Sequence, residues 1–180
     1  RSPYAHANIK SIDTSKAEAL NGALAVMTAD DLPLLPIDVP RPMGPQDLRW
    51  ICRNTMAHGT VLYVGHPVAA VAATSQTIAE AALKLIEVDY EVLPHVIEIE
   101  DAIKPDAPIL HDWIRTKGVE PAPQTASNIA SVLTEQAGDV DAGFAAADVI
   151  VERSFKTAAV HQAYIEPHAC MAEAGADGKV

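Results

Sequence analysis

The sequence predicts an α/β (α+β) fold, organised as a first α/β domain over residues 1–116, a linker over 117–127 and the beginning of a second, mixed α/β domain over 128–180. Three observations predict it. Short apolar runs of strand type alternate with one well-formed amphipathic helix. Residues 117–127 then carry Gly118, Pro121 and Pro123 among small polar residues and show no periodicity, after which the pattern restarts. Finally, 49% apolar residues in a chain of 180 suffice to bury a core.

The elements follow in order. Residues 7–12 read as a strand, and Thr14 offers an N-cap hydroxyl to a helical turn over 15–20, which Gly22 is placed to end. Residues 23–27 form a second strand with Leu24 and Val26 expected on one face, closed by Asp30 and Asp31. Five prolines at 33, 36, 40, 42 and 45 can neither continue a helix nor donate to a central ladder, so this stretch is expected as a surface loop or contact arm. Two apolar runs, 61–64 and 68–73, flank the turn Gly65-His66-Pro67. Ser75 then caps the clearest helix, with Ile78, Ala82, Leu85 and Ile86 on the apolar side and Gln76, Glu80, Lys84 and Glu87 opposite. Residues 88–92 read as a strand with Asp89 and Glu91 outward, and 99–103 as a short turn stopped by Pro105. Beyond the linker, 129–133, 149–155 and 169–174 are strand-like, Asp139 caps a small helix through Ala147, and Ala176-Asp177-Gly178 marks a tight turn.

Composition narrows the function. Thirteen Lys and Arg against 24 Asp and Glu give a net charge of −11, which repels a phosphate backbone, so nucleic acid is not expected as a partner. No run approaches the roughly 20 apolar residues that cross a bilayer, and no membrane span or export signal is expected. Only Cys52 and Cys170 are present, which argues against a disulfide scaffold and fits a reducing compartment; a cytoplasmic location is expected, with the periplasm as the alternative. Arg1 is not an initiator methionine and a hairpin beginning at 169 has only two residues after its turn, so both ends read as breaks inside a longer chain.

The common catalytic and nucleotide motifs are missing. Seven histidines form no HExxH or other zinc spacing, Cys170 sits in an apolar strand pattern where a buried, inert thiol is the usual case and neither cysteine supports a thiol nucleophile, and no GxGxxG, GxxxxGK[ST] or GxSxG occurs. A small hydrolase using Asp and His therefore lacks a nucleophile motif. One segment stands apart: Val160-His161-Gln162-Ala163-Tyr164-Ile165-Glu166-Pro167-His168 packs polar side chains densely beside an apolar run. It reads either as a surface loop whose Glu166 caps a neighbour or as a polar rim that fixes the oxygens of a cofactor.

Four ordered motifs carry a family resemblance. Arg1-Ser2-Pro3-Tyr4-Ala5-His6-Ala7 with Ile12-Asp13 resembles the RSPxAHAxIxxID run of the large subunit of the molybdenum hydroxylases, the xanthine dehydrogenase and aldehyde oxidase family. Tyr63-Val64-Gly65-His66-Pro67-Val68 and the alanine-rich run to Ala73 resemble its YVGxPVAAVxA run. Gly138-Asp139-Val140-Asp141 through Ala147-Asp148 is similar to GDVDxAFAxAD, and the stretch 161–172 to the HxxxEP-type opening of the first cofactor-binding domain.

The resemblance implies a hammerhead-like α/β domain followed by the start of a molybdopterin-binding domain. It also implies a subunit that hydroxylates an aromatic heterocycle or aldehyde carbon with water as oxygen source. Electrons would leave through iron–sulfur and FAD centres on partner domains or subunits, and the substrate would be a small molecule. The family's catalytic glutamate is expected beyond Val180, so this stretch is expected to carry no catalytic residue, no metal ligand and no cofactor by itself. Cofactor contacts are expected at Gln162, with His161 and Glu166 beside it; by strict offset Val160 competes with Gln162 for the family's glutamine position. A second reading makes the piece an assembly module that docks the rest of the large subunit and its iron–sulfur and flavin partners.

Overall fold

The computed structural model describes residues 1–32, 48–166 and 169–178, and the backbone divides into two compact units, Arg1–Thr134 and Glu135–Val180. The proline-rich stretch singled out above lies outside the described residues, as do Pro167 and His168.

In the first unit the elements run β1 (Ala7–Asp13), α1 (Ser15–Glu18), β2 (Ala23–Thr28), a 3₁₀ turn (Ala29–Asp31), α2 (Leu48–Thr55), β3 (Thr60–Val61), β4 (Ala69–Ala73), α3 (Gln76–Leu83), β5 (Glu87–Val92) and α4 (Ile99–Ala102). They form mixed helix and strand layers around two open sheets. β1 sits between β3 and β5 and pairs antiparallel with both, while β2 and β4 make a separate antiparallel ladder. The two apolar runs around Gly65 therefore feed different sheets. Ala7, Ala57, Val61 and Val68 form the buried centre, with Ile9, Ile12, Val88 and Tyr90 packed against it. On β5 the charged residues Glu87, Asp89 and Glu91 are exposed while Val88 and Tyr90 are half-buried, the alternation expected of a one-faced strand.

Local chemistry explains the junctions. Ser75 Oγ accepts the Ile78 N–H at 3.3 Å and so caps α3. Gly22 lies at φ +91°, and a Cβ there would come within 2.7 Å of Ile78 Cδ1 and 2.9 Å of Thr74 Oγ1, so the turn between α1 and β2 needs a glycine to let α3 approach. Two local expectations give way. Thr14 makes no side-chain cap; its hydroxyl donates to the Glu18 carboxylate, and Asp13 Oδ1 accepts the Ser15 N–H at 3.0 Å instead. A register shift between Ala23 and Ala25 removes Leu24 from the face of Val26 and leaves it 69% exposed, because an extra residue in one strand breaks the period of two.

Residues 117–134 fold back on the first unit. The Lys117 N–H donates to Ala130 O (3.0 Å), the Val132 N–H to Lys117 O (2.8 Å) and the Ser127 N–H to Ile114 O (3.1 Å). Asn128 ties the turn together: its Nδ2 donates to Ala102 O and Pro108 O, each at 3.0 Å, and its Oδ1 accepts the Leu110 N–H at 3.1 Å. The boundary between compact units accordingly lies at Thr134/Glu135, beyond the stretch 117–127 where composition places a linker.

In the second unit α5 (Val140–Ala146) forms as expected, with Asp139 Oδ1 accepting the Ala142 N–H at 2.9 Å. The strands expected at 149–155 and 169–174 do not form, and that at 129–133 in the first unit is reduced to a single bridge between Lys117 and Ser131. Only the turn expected at 176–178 is present, closed by Gly178 N–H to Gly175 O at 2.9 Å. A strand pattern needs a second chain segment to accept its ladder bonds, and among the described residues none pairs with 149–155 or 169–174.

Candidate functional site

The segment 160–166 is an exposed, irregular stretch of the second unit. Its one internal tie is local. His161 Nδ1 accepts the Ala163 N–H at 2.9 Å, which leaves the ring proton on Nε2, and the His161 ring lies 4.5 Å from that of Tyr164. Gln162 is the residue spanned by this bond. Ala163 takes φ +61°, a left-handed conformation that costs a residue with a Cβ about 1 kcal/mol. His161, Gln162 and Glu166 are all exposed, and so is Val160 at 84%. The bend brings the His161 ring against Tyr164, with Gln162 between them in the chain, and no bond joins Glu166 to His161 or Gln162 among the described residues.

In the first unit, two of the motifs noted above meet. The Ser2 N–H donates to His66 O (2.8 Å), the Gly65 N–H to Ser2 O (2.8 Å), and the Arg1 guanidinium to Gly65 O (3.0 Å). His66 is fully buried. Its Nδ1 accepts the Leu62 N–H at 3.1 Å, its Nε2–H donates to Arg53 O at 2.8 Å, and its ring stacks on Tyr63. Burial pushes this imidazole below its ordinary pKa, against the opposing pull of the Arg53 carbonyl, and His58 nearby pushes the same way as burial.

A second cluster was not legible in the sequence because its members are far apart in the chain. The Arg53 guanidinium lies 4.2 Å over the Trp113 ring and 3.8 Å from Asp112 Oδ1, and His111 meets Trp113 edge-on at 4.6 Å. Burial, then the Arg53 charge, holds the imidazoles of His58 and His111 below the ordinary range. These groups fasten residues 111–114 to the end of α2. Among the described residues no cluster of three or more His, Cys, Asp or Glu could hold a metal ion, and no helix is long and apolar enough to cross a membrane.

Comparison with known proteins places these features. Residues 1–94 match the family model described as aldehyde oxidase and xanthine dehydrogenase, a/b hammerhead domain. The chain belongs to this family. Residues 121–180 match the molybdopterin cofactor-binding domain, so the family's two domains follow one another here in the expected order. The chain is 38% identical over 207 residues to "Probable hypoxanthine oxidase XdhD" of Escherichia coli O157:H7, covering 98% of this chain and 21% of that protein. It is also 38% identical over 174 residues to the carbon monoxide dehydrogenase large chain of Afipia carboxidovorans, covering 96% and 21%. Among solved structures, the Cu,Mo-CO dehydrogenase in its carbon monoxide reduced state aligns at 34% identity with a TM-score of 0.57, over 83% of this chain and 18% of that one. The chain thus spans about a fifth of the length of these relatives.

The donor chemistry of 161–166 suits a cofactor rich in oxygen and nitrogen, since an amide and an imidazole offer both donors and acceptors. The geometry is open. An apolar depression of about 320 Å³ in the second unit is lined by Val140, Phe144, Val149 and Val151 and includes none of the candidate residues. One exposed strand of backbone supplies a single wall, and these residues alone do not enclose a cofactor.

Proposed function

We propose that this chain is part of the molybdopterin-binding subunit of an oxidoreductase that hydroxylates an aromatic heterocycle or an aldehyde carbon, with water as the oxygen source, and that it turns over no substrate alone. The observation that carries the reading is the ordered pair of domain matches, hammerhead then cofactor-binding, within one chain. In this reading residues 1–116 are the hammerhead-like domain, 117–127 the connection and 128–180 the start of the cofactor domain. Gln162 contacts the cofactor, with His161 and Glu166 as flanking contacts, and the left-handed Ala163 supports it by fixing the bend on which Gln162 sits. Iron–sulfur and FAD centres belong to partner domains or subunits in a cytoplasmic enzyme, and the substrate is a small molecule.

The assembly reading is favoured by one feature, the run of exposed apolar side chains at Val149, Val151, Phe155, Val160, Ile165 and Met171, which a partner segment would cover. The two readings are compatible. The test is to express the complete reading frame that encodes this chain with its neighbouring genes, measure bound molybdenum, and follow heavy oxygen from labelled water into product over a panel of heterocycles and aldehydes. Gln162→Ala should lower turnover with molybdenum content largely kept. A complete subunit that binds no molybdenum, or a product oxygen that derives from dioxygen, would sink the proposal.

A further inference from the structure

His66 joins three parts of the first unit, two through its buried ring and the amino-terminal segment through its backbone carbonyl, and the way its nitrogens are used gives it a consequence for acid. Its carbonyl accepts from Ser2, its Nδ1 accepts from Leu62, and its Nε2–H donates to the carbonyl of Arg53 at the end of α2. Beside it the Ala57 N–H donates to Pro67 O at 2.9 Å, and Ala57 and Val68 belong to the buried centre with Ala7 and Val61. The ring is therefore a neutral imidazole in a single tautomer, assigned by its partners. We propose that His66 is an acid-sensitive clasp, which holds the amino-terminal segment, the end of α2 and the 62–67 turn together while its ring is neutral and releases them when the ring is protonated.

The argument is one of hydrogen-bond sense. A second proton has only Nδ1 to go to, and Nδ1 faces the Leu62 N–H. Two donors would then oppose each other where no water reaches, and a charge would be buried with one carbonyl as its only polar partner. The surroundings add no relief. His58 acts on the ring from just beyond α2, Arg53 presents its carbonyl and not its guanidinium to it, Arg1 lies over Gly65 from the amino-terminal segment, and the stacked Tyr63 donates its hydroxyl to Asn54 O. Asp30 acts on His58, and no ion pair to the His66 ring exists among the described residues.

The direction of the linkage follows. The folded imidazole is held below its ordinary value, so as pH falls the unfolded chain takes up its proton first. The clasp's contribution is complete above the ordinary histidine value of about 6.5 and is lost as pH drops from there through the folded value. His58 and His111, shifted the same way, steepen the loss.

The experiment is an NMR titration of the whole chain that follows the ring nitrogens of His66 and the amides of Leu62 and Ser2. The ring should remain the neutral Nε2–H tautomer through the range near 6.5 where a free imidazole titrates, and its protonation should coincide with loss of protection at both amides. In parallel, His66→Gln keeps an acceptor for Leu62 and a donor for Arg53 without a titrating group. Its urea midpoint should fall less steeply than the wild type's between about pH 7 and about pH 5. A His66 ring that titrates near 6.5 with the Leu62 amide still protected would overturn the clasp, as would a His66→Gln protein with the full wild-type acid loss. Should the variant fail to fold, the wild-type titration decides alone.

Discussion

Residues 23–28 and 149–155 carry similar apolar strand signals, yet only the first is a strand. β2 finds β4 alongside it, with Val26 opposite Val71 and Met27 opposite Ala70. The later stretch has no ladder among the described residues, and Val151 and Phe155 are 71% and 91% exposed. The pattern of a strand encodes which face would be buried; the partner that buries it is a separate requirement. The first unit meets that requirement within its own length, and the second does not. Conformational entropy therefore falls on the two units unequally, since only the first recovers it through buried area and paired backbone.

The largest expected effect of this difference is in amide exchange. Amides of β1, β4 and β5 should be protected by about a thousandfold or more relative to those over 149–166, because ladder amides open only with the unit while unpaired ones are open already. Equal protection in a monomeric sample would break the comparison and mean that 149–166 pairs with something. Slower exchange there only at high protein concentration would sharpen it, by showing that an unpaired segment recruits a second copy.

Next comes the position of the boundary between the units. A Cβ at Gly118 would lie 1.9 Å from Val132 O, and the residue sits at φ +78°. Gly118→Ala must therefore part Lys117 from Val132, and a loss of about 3 kcal/mol of stability, read from urea unfolding, is expected, with new proteolysis over 117–127. Gly138 has a similar backbone, φ +73°, but open space around it, so Gly138→Ala should leave the midpoint of the first unit unchanged. If both variants behave alike, 117–127 is a linker as its composition predicts, and the backbone bonds across it are incidental.

A third contrast uses the core. Val61 is fully buried beside Ala7, Ala57 and Val68, and Val61→Ala should cost about 2 kcal/mol of stability through lost burial and a residual cavity. Phe155→Ala removes a larger side chain that is almost wholly exposed, and should change the stability by less than about 0.5 kcal/mol. A substantial loss at Phe155 would show that its ring is covered in solution.

What the sequence revealed and what it concealed follow the range of the interactions. α3 with its Ser75 cap, the alternation on β5 and the Asp139 cap are set by residues within four or five positions, and each is visible in the chain order. The bulge at Leu24, the return of Val132 to Lys117 and the packing of Arg53 on Trp113 depend on contacts across 15 to 60 positions, for which one sequence has no local sign. His66 was legible as part of a turn and not as a clasp, because its burial depends on Ser2 and Arg53. The candidate site is an intermediate case. Gln162 stood out only through the family resemblance: an amide in a polar stretch has the same local pattern whether or not a second wall closes over it.

The smallest effect is also the cleanest test of the comparison, since it changes the same chemical feature once in each unit. Ser75 and Asp139 both cap a helix by accepting a backbone N–H three residues on, at 3.3 and 2.9 Å. Loss of such an acceptor destabilises a helix by about 1 kcal/mol wherever it occurs. For Ser75→Ala that cost should appear in the global midpoint, because α3 packs on β4 and cannot fray without exposing Ala82, which is fully buried. In Asp139→Ala the helix has no buried residue to hold it, and its seven residues are too few to persist unaided. Helical signal from 140–146 should therefore fall while the midpoint of the first unit stays where it was. A midpoint that moves equally in both variants would mean that α5 folds cooperatively with the first unit, and that a self-sufficient first unit beside a weakly held second one is the wrong description of this chain.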